Sequence, residues 1–347
     1  MCAEILAAGM VTPIGFCARQ TAAAARAGIA RLAESYLHDQ FGEPIVMGLV
    51  NNEELPPLVE SLEDAGLPVQ RRRLLRMAGP AVREALVALN QPVPLLLGTP
   101  EPPTGRAPMI DGAFLEQVAT QSEQPLDLAR SLLLPQGRAA GLLALHRAIA
   151  LIDRGEVAYA LAGSVDSYLD ARVLAALDQE RRLRNGEVQD GFVPGEAAAF
   201  LLVARPGAGA RIGVAPLANV LGIGIGRETG HIYSSTPYRG EGLAEAFSAL
   251  FDRIPRHDPV RMLYAGLNGE SFWAKELGVA MLRNASRFEE PVAIEHPADS
   301  LGDAGAALGP LMIGLAAEAL HRGYRPGPCL VYCGSDREER VAVLIAA

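Results

Sequence analysis

The sequence predicts an α/β fold in layers, assembled from two halves of similar design. Buried strands alternate with amphipathic helices along the whole chain, which is the pattern of sheets covered by helices. Apolar runs such as VPLLLG (93–98) are continuous rather than alternating, as in strands covered on both faces. After the linker-like segment ARPGAGAR (204–211) the strand-and-helix order begins again, which suggests a structural duplication without a detectable sequence repeat.

The elements follow in order. EILAAGMV opens as a strand that stops at Thr12 and Pro13, and the Ala-rich RQTAAAARAGIARL continues as a helix. Leu142, Leu145, Ile149 and Ile152 recur at helical spacing, so one stripe of that helix faces a core, and Gly155 ends it. VAYALAGSVDS is then a buried strand, LDARVLAALDQERRL a helix, and GFVPGEAAAFLLV a turn feeding another strand. Asp166, Ser167 and Asp170 follow a strand and suit a helix N-cap. In the second half, RIGVAPLANVLGIGIG, VRMLYAGLNG, PVAIEHPA, PCLVYCG and ERVAVLIAA read as strands. Between them lie helices GEGLAEAFSALFDRI, FWAKELGVAMLRNA and GAALGPLMIGLAAEALHRG, with Phe272 and Trp273 expected in the core or an interface.

Composition narrows the function classes. A chain of 347 residues, 50% hydrophobic, can bury a large core. No apolar run approaches the roughly 20 residues of a membrane span, and the N-terminus lacks a signal-peptide pattern, so a cytoplasmic protein is the expectation. The 31 Lys+Arg against 40 Asp+Glu leave a net charge of −9, which opposes binding to nucleic acid. Cys2, Cys17, Cys329 and Cys333 form neither a disulfide framework nor a metal-spaced CxxC pair. Two basic runs, QRRRLLR (70–76) and ERRLR (180–184), read as solvated helix faces, with docking of an acidic protein as the alternative. GIGIGRETG (222–230) misses the dinucleotide spacing G-x-G-x-x-G and reads as a turn after a strand.

Several segments together resemble the β-ketoacyl-acyl-carrier-protein synthases, the decarboxylating condensing enzymes of thiolase fold. GMVTPIG is similar to their N-terminal strand and turn, LIDRGEVAYALAGSVDS to the helix and strand after their nucleophile, and DGFVPGEAAAFLLV to their GF-x-x-GE-x-A segment. LGIGIGRETGHIYSSTPYRGEGL resembles the family's linker into the second half, and LGDAGAALGPL its late glycine-rich helix start. The resemblance covers both halves and leaves about 35–130 poorly matched. It implies a thiolase-like five-layer αβαβα fold built from two similar halves, 1–205 and 206–347. It also implies a homodimer paired through the strand around AYALAGS, no cofactor, and an acyl-carrier or other acidic protein as a possible partner through Arg71, Arg72, Arg73 and Arg76.

Members of that family attack a thioester with a Cys at a helix N-terminus, where the helix dipole favours the thiolate. Two histidines then decarboxylate a malonyl thioester and stabilise the enolate. The resemblance places Arg138 at the Cys position, and a permanently protonated guanidinium is no nucleophile. It places Gly266, in AGLNGES, at the first histidine and Asp299, in ADSLGDAG, at the second, with Ile294 near the lysine position. In CGSDREER, Gly334 and Ser335 remain of the glycine-rich oxyanion loop. Arg138 and Asp299 are therefore expected to form an ion pair that plugs a vestigial site, with binding of an anionic ligand such as a carboxylate by Arg138 as the alternative. Glu196 matches a structural glutamate behind the site.

Three readings compete. The first is a degenerate condensing-enzyme homologue that binds an acyl ligand or a protein partner. The second is an acyltransferase with a rebuilt site, with Cys333, Ser335 and His296 as weak candidate groups. The third is a purely structural dimeric scaffold. The bland alternative for Cys333 is a small buried hydrophobe, and for His296 a structural residue in a turn.

Overall fold

The structure is a computed structural model that describes residues 3–102, 108–254 and 258–347. Cys2 lies outside them. The first half contributes strands β1 (Ala3–Val11), β2 (Ala33–His38), β3 (Pro44–Met47), β4 (Leu95–Gly98), β5 (Leu132–Leu134), β6 (Tyr159–Ser167) and β7 (Glu196–Ala204). The second contributes β8 (Ala218–Arg227), β9 (Val260–Ala265), β10 (Phe288–Glu295), β11 (Cys329–Gly334) and β12 (Glu339–Ala346).

All but the β2–β3 hairpin join one 10-stranded sheet in the order β10-β9-β11-β12-β8-β1-β7-β6-β4-β5. The order repeats. Outward from the centre, β1, β7, β6, β4 and β5 correspond one to one with β8, β12, β11, β9 and β10. Within the sheet, the central strands of the two halves pair where Ala3–Ile5 meets Ala218–Val220.

Helices α1 (Ala18–Arg26), α2 (Glu60–Glu63), α3 (Val69–Leu86), α4 (Gly112–Ser122), α5 (Ala140–Asp153) and α6 (Ala171–Gln179) belong to the first half. A short turn of helix, α7 (Ala208–Arg211), leads to α8 (Glu241–Arg253), α9 (Ser271–Arg283), α10 (Ala298–Leu301) and α11 (Leu308–His321). Helices α5 and α11 form the middle layer and share one core with inward residues of both sheet halves. Helices α3 and α4 cover the first half from outside, and α8 covers the second, giving five layers. The continuous apolar stretch on α11, buried from Leu308 to Leu320, follows from that central place, since a helix with sheets on both sides has no face left for water.

Three expectations need correction. The glycines of GIGIG lie within β8 rather than in a turn: a Cβ on Gly224 or Gly226 would sit 1.9 Å from the Ala246 carbonyl oxygen or 2.0 Å from that of Gly242. Their absence of side chains lets α8 press directly on the strand. The strand around AYALAGS cannot pair subunits, because β6 is hydrogen-bonded on one side to β4 and on the other to β7. The open edge of that half is β5.

The first basic run is also not a solvated face, and in the second Arg182 is buried while Arg181 and Arg184 are exposed. Arg71 pairs with Asp111, Arg72 with Glu63 and Arg73 with Glu196, while Arg76 donates to the Asn52, Leu55 and Pro56 carbonyls. Arg76, together with Arg73 through the Val50 carbonyl, anchors a loop that leaves its carbonyls without strand partners. Arg182, in the second run, is buried at 6% exposure in an ionic cluster. The arginines proposed to receive an acidic partner are thus engaged within the chain.

Candidate functional site

After β5 the chain turns through Gly137, at φ +57°, into a 3₁₀ turn over Gly137–Ala139 that feeds α5. Arg138 stands on this turn with 3% of its surface exposed. A cation here faces the positive end of the α5 dipole, so it persists only with compensation from elsewhere. Asp303 supplies it: its Oδ2 lies 2.9 Å from Arg138 Nε, a close charge contact without the alignment of a hydrogen bond. Nη2 donates to the Gly266 carbonyl at 2.7 Å, and Nη1 approaches that of Gly334 at 3.4 Å. The guanidinium carbon sits 4.6 Å from the centre of the Trp273 ring. Burial by itself would disfavour the charge, yet Asp303 and, more distantly, Asp336 outweigh it and hold the guanidinium above its ordinary pKa.

Around this pair extends a connected polar cluster. Asn268 Nδ2 donates to Asp303 at 2.9 Å and to Glu270 at 3.0 Å. Glu270 accepts two bonds from Arg182, at 2.7 and 2.9 Å, and a third from Trp273 Nε1 at 3.0 Å. Arg182 also holds Asp336 at 2.6 Å, which keeps that carboxyl below its usual range although burial opposes ionisation. On Trp273 a second cation stacks, Arg340 at 5.3 Å, itself fully buried and paired with Glu276 at 2.7 Å. Most polar atoms of the cluster are partnered, while Glu276 Oε2 and Arg340 Nη2 are buried without a hydrogen bond.

Two cavities flank the cluster. One, of 370 Å³, has Arg138, Asp166 and Asp336 on its lining and apolar walls from Leu74, Met109, Ile110, Val173 and Leu177. The other, of 730 Å³, presents Arg182 and Glu270 together with His231, Tyr233 and Lys275. Since Arg182 bonds Asp336, and Glu270 reaches Arg138 through Asn268 and Asp303, the network is a wall with a cavity on each side.

Asp166 is on the lining of the first cavity. Its Oδ2 accepts the Ala306 N–H and its Oδ1 the Ser167 N–H, both at 2.8 Å. Burial, aided by Asp303 and opposed by these N–H groups, pushes the carboxyl up to about 7.

The expected residues divide. Gly266 is at the site, contributing a carbonyl rather than a side chain. Asp299 is not the partner of Arg138: it is 74% exposed on α10 and bonded to His296 at 2.9 Å. The positive-φ turn at Gly302 separates it from Asp303, whose N–H and carbonyl are pinned by Val193 and Gly195 so that its side chain points inward. His296 and Ile294 line a separate cavity of 220 Å³ beside α1 and α11. Cys333 is buried beside Gly266, and burial pushes its thiol up to about 12. Ser335 is buried and bonded to Glu101, which is also paired with Arg337. Glu196 receives Arg73, the Val50 N–H and Ser167 Oγ, tying α3 to the end of β6. Asp170 caps α6 as expected, through the Arg172 and Val173 N–H groups.

Sequence reasoning missed Asp303, Asn268, Glu270 and the role of Trp273. One signal was available: in LGDAGAALG an aspartate, Asp303, stands alone in a run of otherwise small and apolar residues. Among the described residues, no group of three or more His, Cys, Asp or Glu could hold a metal ion, and no helix is long and apolar enough to cross a membrane.

The fold and this buried turn define a ketosynthase-like α/β protein of thiolase-like architecture. Residues 137–207, which begin at the Arg138 turn and run through β7, match the beta-ketoacyl synthase N-terminal domain. The ishigamide ketosynthase/chain length factor superposes with a TM-score of 0.80 at 16% identity, over 100% of this chain and 99% of that one. The ketosynthase from module 6 of the bacillaene synthase of Bacillus subtilis 168 gives 0.81 at 14% identity, over 99% of this chain and 72% of that one. A type II polyketide ketosynthase solved with its acyl-carrier protein and bound to a hexaketide gives 0.76 at 16% identity, over 99% of each chain. At these identities the likeness is one of fold. No curated protein matches the chain in sequence.

Proposed function

We propose that this chain is a ketosynthase-like subunit without condensing activity, which acts by holding an acyl-type ligand in its apolar cavity while paired with a second subunit. One observation carries the reading. The turn where a condensing enzyme would present a thiolate holds Arg138, neutralised by Asp303 and roofed by Trp273. Among the described residues, neither Cys333 nor Ser335 stands ready to replace it. Cys333 is held as a thiol by burial, and Ser335 is hydrogen-bonded to Glu101, which is also ion-paired with Arg337. His296, the remaining candidate of a rebuilt acyltransferase, faces a different cavity.

The ketosynthase/chain length factor among the structural neighbours makes a paired role concrete. The exposed edge strand β5 offers the surface for pairing.

The test is intact-mass analysis after incubation with acyl- and malonyl-thioesters, with carbon dioxide release followed in parallel. The wild-type chain is expected to gain no mass and release no gas. Arg138→Cys, which restores a thiol at the start of α5, is expected to accept an acyl group. An adduct on the wild-type protein would overturn the reading.

A further inference from the structure

The cavity beside Arg138 has a lopsided distribution of unpaired charge. Its lining includes four carboxylates, Glu101, Asp166, Asp170 and Asp336, against Arg138 and Arg172. Glu101 is paired with Arg337 and Asp336 with Arg182. Asp170 is committed to the α6 N-terminus and Gln70. Arg138 already has Asp303, two carbonyls and an indole, which leaves its positive charge spent. Asp166, the one of the four that is buried, has no ion pair among the described residues: it is bound by the Ser167 N–H and by the Ala306 N–H at the turn that leads into α11, and the like-charged Asp303 acts on it. Asp166 is only 8% exposed and shares the cavity lining with Leu74, Ile110, Val173 and Leu177.

We infer that this cavity accepts an alkyl chain ending in a protonated amine, with the ammonium against Asp166 and the chain along the apolar wall. An ammonium supplies the counter-charge that the fold withholds, in a site where water is largely excluded and a charge pair is correspondingly stronger. A carboxylate head in the same place would meet Asp166 and Asp303 of like sign, with Arg138 already neutralised. Arg172, the other cation of the lining, is exposed to solvent. The inference rests on the proposed ligand-holding role and specifies its chemistry.

Three probes of one chain length, n-octylamine, 1-octanol and octanoate, separate the two ideas by calorimetric titration of the whole chain at neutral pH. Octylamine is expected to bind at least about ten-fold tighter than either competitor, an advantage of about 1.4 kcal/mol. Asp166→Asn is expected to erase the preference, and Asp170→Asn, on the same cavity, to keep it. Tighter binding of octanoate or octanol, or a preference that survives Asp166→Asn, would overturn the amine assignment while leaving a ligand-holding cavity. Failure of all three probes to bind would overturn both. Circular dichroism of each variant verifies that the fold is intact.

Discussion

Asp303 holds its carboxylate 2.9 Å from Arg138 Nε, while Asp299 on the preceding turn faces water beside His296. The two aspartates therefore differ in what their removal costs. Loss of one partner of a buried pair leaves an uncompensated charge, at about 3–5 kcal/mol, whereas a solvent-exposed pair contributes at most about 1 kcal/mol. Asp303→Asn is expected to lower unfolding free energy by about 3 kcal/mol in urea titration, and Asp299→Asn by less than about 0.5 kcal/mol. Adding Arg138→Met to Asp303→Asn removes the orphaned cation and should recover most of the loss. The single tryptophan of the chain, Trp273, lies against Arg138 and reports each transition by fluorescence. Equal costs for the two aspartates would refute the pairing.

The Asp166 carboxyl gives the stability a specific pH dependence. With its pKa near 7 in the folded state against an ordinary 3.8, the folded protein binds more protons than the unfolded chain between those values. Its contribution to stability is thus present at low pH and falls as pH rises from about 4 to about 7. The full change is on the order of 4 kcal/mol at most. Asp166→Asn has no proton to lose, but it can accept only one of the two backbone N–H groups. It should be less stable than wild type near pH 5 by about 1 kcal/mol and more stable above pH 8. Thermal melts across that range test the crossing; parallel curves would count against a neutral Asp166.

Thiol reactivity separates a buried strand cysteine from a nucleophile. Cys329 and Cys333 are both 0% exposed, and burial pushes both thiols up to about 12. Cys17 is partly exposed. In a Cys2→Ser background, iodoacetamide at pH 8 is expected to label Cys17 promptly and the strand cysteines only on unfolding. Rapid native labelling of Cys333, read by peptide mass spectrometry, would revive it as a catalytic candidate.

The alternation of strands and helices, and the turn carrying Arg138, were legible because apolar spacing records local burial directly. The partners were not. Arg73 is drawn inward by Glu196 and Arg182 by Glu270 and Asp336, carboxylates far away in the chain that only the folded topology brings near. A run of arginines on a helix looks solvated when those distant acids are unseen. Sheet edges are hidden for the same reason: β6 and β5 are both apolar, and only the strand order shows that one is interior and the other outermost.

That order leads to the subunit interface. The outer strand of the second half, β10, carries Glu289, Glu290 and Pro291 with most of its residues exposed, features that discourage pairing with another chain. At the opposite end, β5 presents Leu132, Leu133 and Leu134 without a charge, and Leu132 is 48% exposed. An unguarded apolar edge suits strand pairing across a two-fold axis with a second copy. Leu132→Glu would set like charges facing one another at such an axis, and a loss of about 2.7 kcal/mol would weaken association about 100-fold. Sedimentation equilibrium is expected to show a dimer for wild type and a monomer for Leu132→Glu at micromolar concentration, with Glu290→Gln unchanged. A monomeric wild type, or a variant that stays dimeric, would remove β5 from the interface.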